Sequence, residues 1–366
     1  MRAGGAALAP RAVLRRLPVV RALRYCRWDG KPTGGTTMRM TAPTSPRAAR
    51  RSAWALSAAL VSLAALAAPE AGAQTYGIAT MQPGTLNHTT GSAIAKVLKE
   101  RGGLNVLVQP TAGETTLIPM VGRAEADLGI ANIAEVVNAT RSGPGQQPEL
   151  RLVGSLHPLR VAFFVRKDSD MKSVGDLKGR RVNVGYSAMR TIDVLVTAML
   201  AAGGISQADV KPVPVPNVIR GADDFLAGAA DTFMFAFGAP KVREVDATVG
   251  GIRALEIPEA GMAASRSIFR YGYLTEVSPG PVFVGVPHKM KAYSYDNMLF
   301  TNAKVKDEVV YKMIETLEAN KADLVAVQPA LREFSAAGLF KSYDIAYHPG
   351  ALKYFKDKGL EPKAAQ

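Results

Sequence analysis

Three short stretches of this sequence gather side chains able to hold a small polar molecule. MQPGTLNHTTG (81–91) crowds Gly84, Thr85, Asn87, His88, Thr89 and Thr90 together, and that density of hydroxyl and amide groups suits neutral hydrogen bonding. GYSAMRTID (185–193) sets Ser187, Arg190 and Thr191 at the start of a helix, where a guanidinium can grip a carboxylate through two parallel hydrogen bonds. ANIAE (131–135) leaves a strand in the same manner. Each has a plainer reading beside it. Thr89 or Thr90 can cap a helix, His88 can be a surface-loop histidine, and Arg190 a solvated or interdomain arginine.

Signatures of catalysis are not found. The sequence has no G-x-x-x-x-G-K-[ST], H-E-x-x-H or G-x-S-x-G, and His88, His157, His288 and His348 lie far apart without metal-ligand spacing. Asp127 and Asp231 sit where a helix enters a strand and read as structural. The expectation is a binding protein with no catalytic residue, no metal and no cofactor.

The elements that must position the three loops alternate regularly. TYGIAT (75–80), NVLVQP (105–110) and ADLGIA (126–131) read as strands, with helices over about 89–101 and 114–123, the second carrying Pro119. The pattern restarts with LRVAFFVRKD (159–168), RRVNVG (180–185), a helix over 191–202 stopped by Gly203-Gly204, and the strands VKPVPVP (210–216), DTFMFAF (231–237) and GGIRALEI (250–257). VSPGPVFVGVPHKM and YSYDNMLFTN (277–302) read as strands returning to the first unit, and Val309, Val310, Met313, Ile314 and Leu317 form one buried stripe of a helix. Two α/β units result, and in such sheets the loops at the carboxyl ends of parallel strands converge on a cleft.

The net charge of +14 suggests nucleic acid until its position is considered. Residues 1–73 hold 12 basic and 2 acidic residues, leaving 33 basic against 29 acidic in the remaining chain, an ordinary balance. No nucleic-acid partner is expected. Arg47, Arg50 and Arg51, the apolar run AWALSAALVSLAALAAP (53–69) and the Ala71-Gly72-Ala73 triplet have the three parts of a secretory signal peptide, with cleavage expected after Ala73 and export of the remaining chain. Cys26, Trp28 and Trp54 all lie in that leader, so the mature chain has no thiol nucleophile and no disulfide.

AYHPGALKYFKDKG (346–359) resembles the C-terminal signature of the TAXI family, the periplasmic solute receptors of TRAP transporters. AEADLGIAN (124–132), GSAIAKVLKE (91–100), LKGRRVNVG (177–185) and VGVPHKM (284–290) are similar to further stretches of that family, so the resemblance covers nearly all of the chain after residue 73. It implies a type II-like periplasmic binding protein whose two lobes, 74–160 plus 277–366 and 161–276, are each a mostly parallel sheet flanked by helices. Such a receptor would close by a hinge on a small organic acid or amino acid and deliver it to TRAP membrane permease subunits.

Residue by residue, the resemblance carries Gly84, Asn132 and Thr191 into the ligand site. Asn87 and His88 stand where the family often has tyrosines, and Tyr186 to Arg190 replace small residues, so the pocket floor departs from the family pattern. His348, Pro349 and Gly350 are expected to start and pin a helix rather than to touch ligand. An ABC-importer binding subunit, a sensor-associated ligand-binding protein and a periplasmic enzyme are the competing readings.

Overall fold

The computed structural model describes residues 74–141 and 145–365; the leader, the signal segment and its cleavage site lie outside the described residues. The first elements are β1 (Thr75–Thr80), α1 (Leu86–Gly102), β2 (Asn105–Pro110), α2 (Glu114–Gly122), β3 (Leu128–Asn132) and α3 (Ile133–Thr140). Helix α1 begins three residues earlier than the apolar period suggests, because Thr85 rather than Thr89 or Thr90 is its cap: the Thr85 hydroxyl oxygen accepts the His88 N–H at 3.2 Å. Gly103, left-handed at φ 64°, closes the helix. The Ala93, Ile94, Val97 and Leu98 face is fully buried, each larger side chain contributing about 2 kcal/mol of hydrophobic stabilisation.

Strand β1 pairs in parallel with β2 and with β3. Two long strands then organise everything else: β4 (Leu150–Arg166) and β10 (Met290–Asn302) run antiparallel, with register shifts at Asn297/Met298 and Leu299/Phe300. The 297–301 part of β10 pairs with β3, whereas the 290–294 part pairs with β9 (Tyr273–Val277). Likewise β4 continues past Pro158 to pair, through 161–166, with β7 (Phe233–Ala236) and β8 (Ile252–Ala254). Pairing partners therefore change near 157–160 and 294–297, where Pro158, which has no N–H to donate, sits opposite Asp296. The sheet is mixed: its parallel part is β1–β3, and the crossing strands are antiparallel because the chain passes once in each direction.

Around the far half are β5 (Arg181–Val184) and β6 (Lys211–Pro214), which pair in parallel, with α4 (Arg190–Ala202), α5 (Val218–Leu226), α6 (Pro240–Val249) and α7 (Met262–Ile268). Their core is rich in rings, with Phe164 stacked on Phe233 at 5.3 Å. On the near half, α1 and the C-terminal helices cover one sheet face, while α2 and α3 cover the other. Asp127 accepts the Gly77 N–H at 2.7 Å and Asp231 accepts the Arg181 N–H at 2.7 Å, the structural roles expected of both.

Residues 278–289 form no strand, contrary to the apolar reading of that stretch. Pro279, Pro281 and Pro287 remove ladder donors and Gly285 is left-handed at φ 84°. The chain ends with α8 (Asp307–Ala319), α9 (Lys321–Val327), α10 (Ala336–Leu339), β11 (Lys341–Ser342), α11 (Pro349–Asp357) and β12 (Lys363–Ala364). His348 behaves as expected. Fully buried, it caps α11 by accepting the Gly350 N–H at 3.2 Å, and its Nε2 lies 2.9 Å from the Val305 carbonyl. A Cβ on Gly350 would lie 2.2 Å from the Asp307 carbonyl oxygen, so glycine lets α11 lie directly on the start of α8.

Candidate functional site

Where β4 and β10 cross, a cavity of about 390 Å3, counting its part open to solvent, is walled by both halves. Met81 and Thr85 enter it from the loop after β1, Leu86 and Asn87 from the first turn of α1, and Glu114 from the start of α2. Leu159, Val161 and Tyr295 come from the crossing strands; Met189, Ile192, Val218 and Met234–Ala236 come from the far half. Among the described residues the wall is mostly apolar with three polar side chains besides the Tyr295 phenol, and no Lys, Arg or His is among them.

The structure separates the expected site residues. Thr85 and Asn87 line the cavity. Asn132 stands one residue behind it, fully buried, where its Oδ1 caps α3 by accepting the Glu135 N–H at 2.8 Å and its Nδ2 donates to Glu114 Oε1 at 3.4 Å. Thr191 donates its hydroxyl to Glu135 Oε2, tying α4 of the far half to α3 of the near half. Gly84, left-handed at φ 92°, accepts the Lys241 N–H at 3.1 Å, a second bond between halves. Half-buried His88, Ser187 and Arg190 are outside the cavity wall, and the last two are exposed.

A third tie lies beside α2: Thr115 donates its hydroxyl to the Ala188 carbonyl at 2.8 Å. A Cβ on Gly113 would meet that carbonyl oxygen at 2.2 Å, so only glycine admits this approach. The tyrosine of the departing loop does not form the pocket floor: Tyr186 is packed in the far core, and Met189 is the member of the loop that reaches the cavity.

Glu114 was not among the residues read from the sequence, although the loop after β2 is a strand-end loop like the other three. It is 2 % exposed, and its Oε2 has no hydrogen-bond partner; the same holds for Oδ1 of Asn87, which is 3 % exposed. Burial first, then the nearby charge of Glu135, pushes the Glu114 carboxyl up to about 8. Glu135 is itself pushed up to about 7 by burial, against the opposing pull of Arg190. Burial also raises the Tyr295 phenol, with Glu114 adding to it.

A profile of the NMT1-like family matches residues 78–359. This chain belongs to the NMT1-like family. A member of the curated proteins, a "Putative thiamine biosynthesis protein" of Haemophilus influenzae (strain ATCC 51907 / DSM 11121 / KW20 / Rd), is 34% identical over 143 residues, which are 37% of this chain and 43% of that protein. The NMT1-like chain thus spans less than half the length of that relative. Among solved structures, it is similar to a "periplasmic transporter" (TM-score 0.51, 15% identity, 80% of this chain and 93% of the other) and to the periplasmic binding protein BugD (TM-score 0.50, 13% identity, 79% and 99%). These likenesses establish the two-lobed periplasmic binding protein fold for this NMT1-like chain.

Proposed function

We propose that this chain is a periplasmic receptor that captures a small solute between its two lobes, 74–160 with 277–366 and 161–276, and releases it unchanged to a membrane importer. The observation that carries the reading is the cavity at the strand crossing, apolar in most of its wall and bridged by the Thr191–Glu135, Thr115–Ala188 and Lys241–Gly84 bonds. Concave, mostly apolar pockets with a few convergent polar groups are the usual form of a small-molecule site. Two strand crossings, with bonds between lobes that can break and reform, suit hinge closure.

We place an ABC importer first as the membrane partner and a TRAP-type permease second. The chain is NMT1-like and has the fold of periplasmic binding proteins, which supports a solute-binding subunit of an importer, whereas the TAXI-type assignment has only the five sequence stretches behind it. An organic anion held by Arg190 would have to be met at the rim, since that arginine is exposed. Thermal denaturation of the chain against amino acids, amines, carboxylates, sulfonates and sugars tests the receptor reading. A ligand at 100 times its dissociation constant stabilises the folded state by about 2.7 kcal/mol, a shift of several degrees. A panel in which no solute shifts the transition would defeat it, and a neighbouring ATPase or large permease gene would separate the two partners.

A further inference from the structure

We infer that the solute this cavity accepts carries a protonated amine on an apolar body, with Glu114 as the group that receives the ammonium and Asn87 accepting a second of its N–H bonds. The inference rests on the receptor reading and names the solute class for it. Glu114 Oε2, an acceptor once the carboxyl is ionised, and Asn87 Oδ1 belong to side chains that line the same cavity and are almost wholly shielded from water, and neither atom has a hydrogen-bond partner among the described residues. Buried polar atoms are nearly always hydrogen-bonded, and a buried carboxylate is tolerated only when a cation or several donors meet it. The orientation of both groups is set from behind. Asn132 donates to Glu114 Oε1, and the Asn87 amide donates to Met81 Sδ at 3.4 Å, so each side chain turns an acceptor away from its fixed partner.

The wall offers an anion nothing comparable. Among the described residues it has no Lys, Arg or His, and the charged group next to Glu114 is a second carboxylate, Glu135, whose Oε2 is engaged by Thr191. The exposed Arg190 is near enough to Glu135 to oppose the rise of its carboxyl, and Glu114 is near enough to Tyr295 to raise its phenol. An ammonium offers three donors, enough for Glu114 Oε2 and Asn87 Oδ1 together, while Met81, Leu86, Leu159 and Met234 pack on the rest of the molecule. Because Glu114 holds a proton in the free protein near neutrality, binding an ammonium displaces that proton to solvent, and affinity climbs with pH until Glu114 is ionised in the free protein.

Three isosteric probes test this on the full chain: 3-phenylpropylamine, 3-phenylpropionate and 3-phenylpropanol, followed by calorimetry and thermal shift. The amine is expected to bind, to gain at least tenfold in affinity between pH 6 and pH 8, and to lose at least tenfold in Glu114→Gln. The alcohol should bind more weakly and show neither dependence. An amine affinity flat across that pH range overturns the inference even if Glu114→Gln fails to fold. Preferential binding of the propionate, lost in Arg190→Ala, also overturns it while leaving the receptor reading intact. Binding of none of the three, in a protein that some amino acid, sulfonate or sugar does stabilise, overturns the solute class alone. Binding of nothing in the wider panel removes the receptor reading with it.

Discussion

Glu114 should make the stability of the free protein depend on pH, with a sign opposite to that of an ordinary salt-bridged carboxylate. Burial lifts its carboxyl from 4.5 to about 8, so between those values the folded chain holds a proton that the unfolded chain has lost. The stabilisation is complete below pH 4.5 and drains away as pH rises towards 8. Each pH unit within that window is worth about 1.36 kcal/mol, so between pH 6.0 and 7.5 this one group accounts for a loss of about 2 kcal/mol. No discount for solvent screening applies, because the side chain is almost wholly buried. Urea unfolding at the two pH values, for the natural chain and for Glu114→Gln, isolates the contribution, since all other titrating groups are shared. The natural chain should lose about 2 kcal/mol more than the variant over the interval, and the variant should be the more stable of the two at pH 7.5. Parallel pH profiles would refute the assignment of a buried, uncompensated carboxyl at this position. A larger slope than expected would implicate Glu135, which is raised in the same direction.

Other perturbations follow from the packing. Gly113→Ala places a methyl group 2.2 Å from the Ala188 carbonyl, so it should hold the lobes apart: solute affinity falls at least tenfold and the radius of gyration by X-ray scattering rises, with far-UV dichroism unchanged. The mutated residue has an extended backbone at φ 165°, so no backbone strain contributes. His348→Ala removes the α11 cap and the bond to Val305, at about 1–3 kcal/mol in chemical denaturation, without changing solute affinity. Asp296→Ala strands the Lys341 ammonium, which Asp296 Oδ2 meets at 2.7 Å. With that lysine largely buried, a loss of about 3 kcal/mol is expected by urea titration.

Much of this architecture was legible before any coordinate. The periodicity of residues 89–101, the Gly203-Gly204 stop and the Val310, Met313, Ile314 and Leu317 stripe are local patterns, and local patterns survive because each element buries its own apolar face. His348 with Pro349 and Gly350 could be assigned to a helix start because capping chemistry is confined to neighbouring residues. The stretch at 278–289 misled because its Val and Phe residues outweighed its prolines in the reading, although a chain lacking N–H donors cannot extend a ladder.

The site was legible only in part. Thr85 and Asn87 follow from their loop's composition, and Asn132 and Thr191 are drawn in indirectly through Glu114 and Glu135. Arg190, the most conspicuous polar residue of its loop, turns to solvent while Met189 beside it turns inward; that is a rotation of about 100° on a helix start, which residue type does not specify. Nor could the sequence say that Glu114 would be buried. An acidic residue in the first turn of a helix is ordinary, and it becomes exceptional here because a second lobe, contributed by residues some 75 to 120 positions away, covers it. Sequence alone determined most of the elements, the two-lobed binding-protein fold and the loops that would meet, but not the TAXI-type assignment, in whose place the matching profile is that of the NMT1-like family. Which side chains face the cavity, and which carboxyl loses its water, depended on how two lobes close over one another, a long-range packing event that local chemistry does not encode.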